Sequence, residues 1–327
     1  MKTVLLQRQG SVLGVLAGTL RMTLHGEEVA RFPADLVEEV LLFGGVSVTT
    51  PALRDLLARG AALHYLTLGG RHLGSLHGGL EGHAGLLRAQ VMAERPDLQW
   101  PQARALLHAK LHNTRSVLRR WQTRSPHPAL AQATGAHTDT LQALETTEPL
   151  APATLLGLEG AAAASYFAAL AAVLPVEWGF QGRRRRPPPD PVNALLSFGY
   201  SVLCAAVLTD LQRVGLHPGF AVLHAPHGRR PVLALDLMEP HRAALVDRTV
   251  LSCVNRRLLN PDHFEDSSES LRLTADGRKR FLNELNARLT APVGRSGLSY
   301  RELLTRSVRR YAECVRAGHV YQPDLLR

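Results

Sequence analysis

Glu159 is the only charged residue between Pro149 and Pro175, in the run LLGLEGAAAASYFAALAAVL. A lone carboxylate on an apolar helix must face solvent, meet a cation or bind a metal, because an unpaired buried charge costs several kcal/mol. Its neighbours three and four residues away, Leu155, Leu156, Ala162 and Ala163, are not cationic, and neither is Tyr166 two turns on, so any partner comes from another segment. His224 closes the apolar run GLHPGFAVLH, and twelve residues later ALDLMEPHR carries Asp236 and Glu239 three apart. In a helix those two carboxylates share a face. The same Asp-x-x-Glu pattern also reads as a capping box, with Pro240 starting a helix, and a single His after an apolar run is commonly a packing residue. Together the fragments supply a carboxylate, an imidazole and a carboxylate pair. Oxygen and nitrogen ligands of this kind suit Mg²⁺ or Mn²⁺ and leave positions for phosphate oxygens and water.

The elements that must position these groups belong to a chain of 327 residues, enough for about two domains. With 45% hydrophobic and 20% charged residues it has a globular composition, which excludes disorder, collagen and coiled coil as whole-chain descriptions. The formal net charge of +10 makes a polyanion the first partner to consider. Residues 1–90 carry a net +1 and residues 91–327 a net +9, so a nucleic-acid surface is expected in the second part. Only Lys2, Lys110 and Lys279 are lysine among 38 basic residues, and Arg makes the bidentate phosphate contacts that Lys cannot, although a GC-rich coding bias also favours Arg. Cys204, Cys253 and Cys314 form no CxxC pair, which supports neither a disulfide framework nor a cysteine zinc site and fits a reducing, cytoplasmic setting. The start, MKTVLLQRQG, has too short an apolar run for a signal peptide. Walker A, GxSxG and GxGxxG loops are absent.

Short apolar runs at Thr3–Leu6, Val12–Leu16, Val40–Phe43 and Leu63–Leu66 predict strands, with one short helix opening at Thr50-Pro51. Gly78, Gly79, Gly82 and Gly85 mark a boundary near residue 82, after which helical spacing dominates. The fold class expected is α+β: a small β-rich N-terminal domain over 1–82 and a larger, mostly α-helical domain over 83–327. A helix is predicted from Leu86 to Arg124, partial loop from Ser125 to Pro152, and two buried core helices, one bearing Glu159 and one opening at Asp190-Pro191. The Glu159 helix is long enough to span a membrane, but its alanine content argues for a core helix instead. Arg183 to Arg186, followed by three prolines, read as a basic non-helical connector. His64, His72, His77 and His83 match no zinc spacing and read as loop histidines.

Several of these stretches carry a family resemblance. LLGLEGAAAASYF, RRRRPPPDPVNALLSFGYSVL, GLHPGFAVLH and PVLALDLMEPHRAALVD occur in the order of the motifs of the CRISPR-associated adaptation integrases, the first-numbered of the Cas proteins. VLLFGGVSVTTPALRDLLARGAALHYLT, GRHLGSL and KLHNTRSVLRR are also similar to that family, so the likeness covers nearly the whole chain. His217, Gly219 and Ala221 depart from the pattern, and His241 stands where an apolar residue is common.

The resemblance implies a metal-dependent DNA endonuclease and integrase that inserts short double-stranded DNA fragments into a CRISPR array by transesterification. It implies a homodimer joined to a second copy by a small adaptation partner protein, and the near-neutral N-terminal domain is the expected self-association surface. Carried onto this sequence, the catalytic set is Glu159, His224, Asp236 and Glu239. Glu159, His224 and Glu239 are the expected metal ligands, with Asp236 beside them. Arg183, Arg184, Arg185, Arg186, Arg229, Arg230, Arg242 and Arg248 are the expected DNA contacts. The alternatives are a non-catalytic DNA-binding scaffold of the same fold and a metal-dependent nuclease of branched DNA in repair.

Overall fold

Leucine- and valine-rich runs separated by turns pair into two four-stranded sheets at the start of the chain. The computed structural model describes residues 2–78, 84–146, 152–184, 187–224, 230–266, 271–294 and 297–326. The chain divides into two units, Met1–Gly82 and His83–Arg327.

The first unit holds β1 (Lys2–Leu6), β2 (Val12–Leu16), β3 (Thr19–Leu24), β4 (Glu27–Pro33), β5 (Val37–Phe43), β6 (Ser47–Val48), α1 (Thr50–Ala58), β7 (Ala62–Leu66) and β8 (His72–Leu76). One sheet runs β1-β5-β7-β8, parallel except for the last pair, and the other runs β4-β3-β2-β6. Leu13, Leu20, Val40, Leu42, Leu56 and Leu63 fill the core of this unit. The cap of α1 is Thr49, whose hydroxyl accepts from Ala52 N, one residue before the expected Thr50. The expected strands all form, whereas β3, β4, β6 and β8 went unread. In β4 the charged Glu28 hides the alternation because it stands on the half-buried face with Ala30 and Phe32, paired with Arg21 and Arg31. The histidines are not all loop residues: His64 lies in β7 and His72 in β8, both hydrogen-bonded to Ser75 Oγ, at 2.7 and 2.8 Å. Buried Glu39 faces His64 and accepts from Thr3, so this is a polar network inside a sheet. His83 lies outside the described residues.

The second unit contains α2 (Ala84–Ala93), α3 (Pro96–Arg124), α4 (Pro128–Thr146), α5 (Pro152–Val173), α6 (Pro191–Val214) and α7 (Val232–Met238). After a 3₁₀ turn (Glu239–His241) and a π turn (Ala243–Asp247) follow α8 (Arg248–Asn255), the hairpin strands β9 (Phe264–Asp266) and β10 (Leu271–Leu273), α9 (Ala275–Thr290) and α10 (Tyr300–Ala317). The helix expected from Leu86 to Arg124 is broken before Pro96, which occupies the first turn of α3. The expected loop after Ser125 is largely α4, with Leu130, Ala133, His137, Leu141 and Leu144 turned inward at helical spacing. Thr134, Thr138 and Thr140 between those positions, and a polar His137 at one of them, masked the period. Only α6 is the buried core helix expected: its most apolar window is 89% buried, against 22% for that of α5. Alanines on the outer face of α5 raise its hydropathy without needing burial.

Candidate metal centre

Four segments of the helical unit bring the chemistry together. α3 supplies Lys110, α5 supplies Glu159, the 3₁₀ turn supplies Glu239, and the segment before α7 supplies His224. One ligand atom from each of Glu159, His224 and Glu239 lies within 4.8 Å of the other two. The Lys110 ammonium bridges the carboxylates, 2.5 Å from Glu159 Oε1 and 2.8 Å from Glu239 Oε2. The second approach lacks hydrogen-bond geometry and leaves Glu239 Oε2 a buried acceptor without a hydrogen bond. Glu159 therefore has the remote cation its own helix could not supply.

Asp236 on α7 is fully buried and fully engaged. Its Oδ2 accepts from Val222 N at 2.7 Å and Leu223 N at 2.9 Å, while Oδ1 faces His224 Nδ1 at 2.5 Å. A carboxylate can only accept, so the proton sits on Nδ1 and the Nε2 lone pair is left for another partner. Asp236 raises the imidazole pKa above its ordinary value, against the opposing effect of burial. Asp236 and Glu239 thus point at different partners. α7 ends between them, and the tighter 3₁₀ turn carries Glu239 toward Lys110 and Arg242.

Burial works to raise the Glu239 pKa, yet Arg242 and Lys110 override it and hold the carboxyl well below the usual range. Arg242 is committed here: it pairs with Glu239 and lies over the Tyr200 ring, 4.2 Å from its centroid. Behind it, buried Asp247 accepts from Tyr166 at 2.7 Å and Tyr200 at 2.6 Å, and burial raises its pKa to about 6. Lys110, Glu159, Tyr166, Tyr200, Glu239 and Asp247 line one cavity of about 60 Å³. Asn113, one turn beyond Lys110, donates to Pro240 O at 2.9 Å and to Asp324 O at 3.1 Å, and accepts from Leu326 N at 2.6 Å, pinning the turn that carries Glu239. His241 fills an apolar place: it is fully buried, neither ring nitrogen has a hydrogen bond, and burial lowers its pKa to about 4.

The basic connector is anchored. Asp190 caps α6 by accepting from Asn193 N, and Asn193 Oδ1 accepts from Arg183 Nη1 and Arg184 N, each at 2.8 Å. Arg183 also reaches Ser197 and lines the cavity, while the Arg184 side chain is exposed. Arg230 is exposed and Arg248 half-buried, and Arg185, Arg186 and Arg229 lie outside the described residues. Sequence reading passed over Lys110, Tyr200 and Asp247, although each stands inside a quoted motif: KLHNTRSVLRR, ALLSFGYSVL and PHRAALVD.

Two carboxylates, one of them with a buried oxygen that has no hydrogen bond, and an imidazole nitrogen form a donor set that fits Mg²⁺ or Mn²⁺. The chain is thus of the α+β class and carries a carboxylate and histidine cluster on its helical part. Residues 4–287 match the family model described as CRISPR associated protein Cas1. The chain is 39% identical over 321 residues to the CRISPR-associated endonuclease Cas1 1 of Thermus thermophilus, covering 97% of this chain and 95% of that protein. The chain belongs to the Cas1 family. Its fold is similar to that of a casposase bound to an integration product (TM-score 0.87, 22% identity, 100% of this chain and 95% of that one). A similar fold occurs in a Cas6-RT-Cas1–Cas2 complex (TM-score 0.84, 22% identity, 99% of this chain and 36% of that one).

Proposed function

We propose that this protein is a metal-dependent DNA endonuclease and integrase of CRISPR adaptation, inserting short double-stranded DNA fragments into a CRISPR array by transesterification. The observation that carries the reading is the convergence of Glu159, His224 and Glu239, 65 and 15 residues apart in the chain, to within 4.8 Å. Similarity to a named CRISPR-associated endonuclease over nearly the whole chain supports it. So does a fold shared with a casposase bound to an integration product.

Glu159, Glu239 and His224 Nε2 would hold Mg²⁺ or Mn²⁺, which when bound would supply positive charge to the phosphate and the leaving 3′-oxygen. Asp236 keeps the His224 proton on Nδ1, so the imidazole serves as a ligand and not as the general base. Arg242, held on Tyr200, keeps Glu239 ionised and oriented. Lys110 balances the two carboxylates and is the cation that must give way or turn toward the phosphate. The reaction needs no covalent protein nucleophile, because a 3′-hydroxyl or water attacks. Arg183, Arg184, Arg230 and Arg248, with Arg185, Arg186 and Arg229, contact DNA phosphates.

The protein works in the cytoplasm as a homodimer joined to a small adaptation partner protein. Support for self-association through the N-terminal unit comes from edge strand β8, which exposes Leu73 and Leu76. The decisive experiment compares Glu159→Ala, His224→Ala and Glu239→Ala with wild type in cleavage and strand transfer with Mg²⁺ or Mn²⁺. Each should lose activity while keeping its helical circular dichroism and DNA affinity. A folded Glu159→Ala protein with normal activity overturns the reading.

A further inference from the structure

A second concave site lies away from the carboxylates. Arg120 from α3, Arg248 from the start of α8, Arg256 just after α8, and Arg288 from α9 line a cavity of about 390 Å³ beside Tyr300. At ~30 Å³ per water this cavity has room for about a dozen waters. Glu284 is the one carboxylate among the described lining residues, and its charge is shared: Arg256 lies 3.3 Å and Arg288 3.9 Å from Oε1, which also accepts from Ser252. Arg288 is held by Thr249 Oγ1 at 3.1 Å, and its side chain is only 17% exposed. Burial lowers the pKa of both Arg248 and Arg288, and Arg248 lowers that of Arg288 further. Four guanidinium groups against one carboxylate is a large excess of positive charge in a partly dehydrated recess. Such a recess is complementary to an anion that takes planar, bidentate hydrogen bonds.

The geometry points to a phosphate-binding pocket formed by Arg248, Arg256 and Arg288, separate from the metal centre, that holds a phosphate group of the nucleic-acid strand. The pocket rests on the DNA-processing reading above for its source of phosphate, and not for its chemistry. Lys110 and Arg120 are ten residues apart on α3, which is ~15 Å along its axis at 1.5 Å per residue. At ~3.4 Å per nucleotide, that axial separation corresponds to a phosphate about four steps from the one at the metal centre.

The test uses the full chain and a labelled duplex read by fluorescence anisotropy between 50 and 200 mM salt, with Arg256→Gln, Arg288→Gln and Glu284→Gln. Losing one phosphate contact should lower the salt slope by about 0.9, which makes the fall in affinity over that range three- to fourfold smaller. Arg256, 63% exposed, is the variant least able to disturb folding. Glu284→Gln removes the opposing charge and should tighten binding, a gain that a merely structural role does not produce. Neutral methylphosphonates placed singly three to six nucleotides from the reacting phosphate should weaken wild type at one position and have no further effect in Arg288→Gln. Inorganic pyrophosphate is the second arm. If it raises the melting temperature of wild type but not of Arg288→Gln, while no methylphosphonate matters, the pocket serves a free or terminal phosphate instead of the internal backbone. Unchanged slopes, no gain in Glu284→Gln and no pyrophosphate effect overturn the pocket. That outcome leaves wild-type metal-dependent cleavage untouched, whereas failure of the metal reading leaves the slope differences standing.

Discussion

Lys110→Met isolates the charge balance of the metal centre. The ammonium sits between Glu159 Oε1 and Glu239 Oε2, and all three side chains are largely buried. Methionine keeps the length of the stem and removes the charge. Two carboxylates no more than 4.8 Å apart then face each other directly. At an effective dielectric constant of about 20, their repulsion is about 3.5 kcal/mol, within the ~3–5 kcal/mol lost when one partner of a buried ion pair is removed. For a domain of this size ~1 kcal/mol moves the midpoint by about 2–4 °C, so the variant should melt about 7–14 °C below wild type in EDTA. A divalent ion replaces the missing charge and should restore much of this, since ligand at a hundred times Kd contributes about 2.7 kcal/mol. The assay is thermal unfolding of both proteins in EDTA and in a Mn²⁺ series. The reasoning fails if Lys110→Met melts with wild type in EDTA, or if Mn²⁺ leaves the gap between them unchanged.

Three further outcomes are expected. Because Asp236 raises the His224 pKa, protonation should compete with Mn²⁺ at a pH above the ordinary imidazole value of 6.5. Calorimetric affinity should fall as pH drops through that point, and Asp236→Asn should move the limb to lower pH while weakening binding, because the ring is no longer held. Since Glu239 has a lowered pKa, its contribution to stability is complete above the usual carboxylate range and is lost as pH falls below it. Acid titration of Glu239→Gln, followed by circular dichroism, should show less loss over that range. Arg184→Ala should reduce the salt slope of DNA binding by about one with the fold unchanged, while Arg183→Ala should also lower the melting temperature, because Arg183 holds Asn193 and Ser197.

Composition and pattern were enough for much of the architecture. Strand-length apolar runs before residue 82 and helical spacing after it imply the α+β order, since each period requires its own kind of element to bury one face. Asp190-Pro191 marks the start of α6 because capping is a local interaction, complete within a few residues. The candidate ligands were legible too, by the anomaly of a single carboxylate in an apolar run and by motif order. What stayed hidden was everything decided between distant segments. α4 was obscured because polar Thr and His side chains bond back to their own helix and blur the period. Lys110 was only one of three lysines, inside a predicted helix, until α3 and α5 packed together and set it between Glu159 and Glu239. Asp236 and Glu239 looked like a pair until the end of α7 turned one toward His224 and the other toward Arg242. Sequence spacing specifies which face of an element a residue occupies and allows a local pair such as Glu239 with Arg242, but a partner forty-nine residues away along the chain is chosen by packing, so the place of Lys110 between the two carboxylates is a property of the tertiary fold alone.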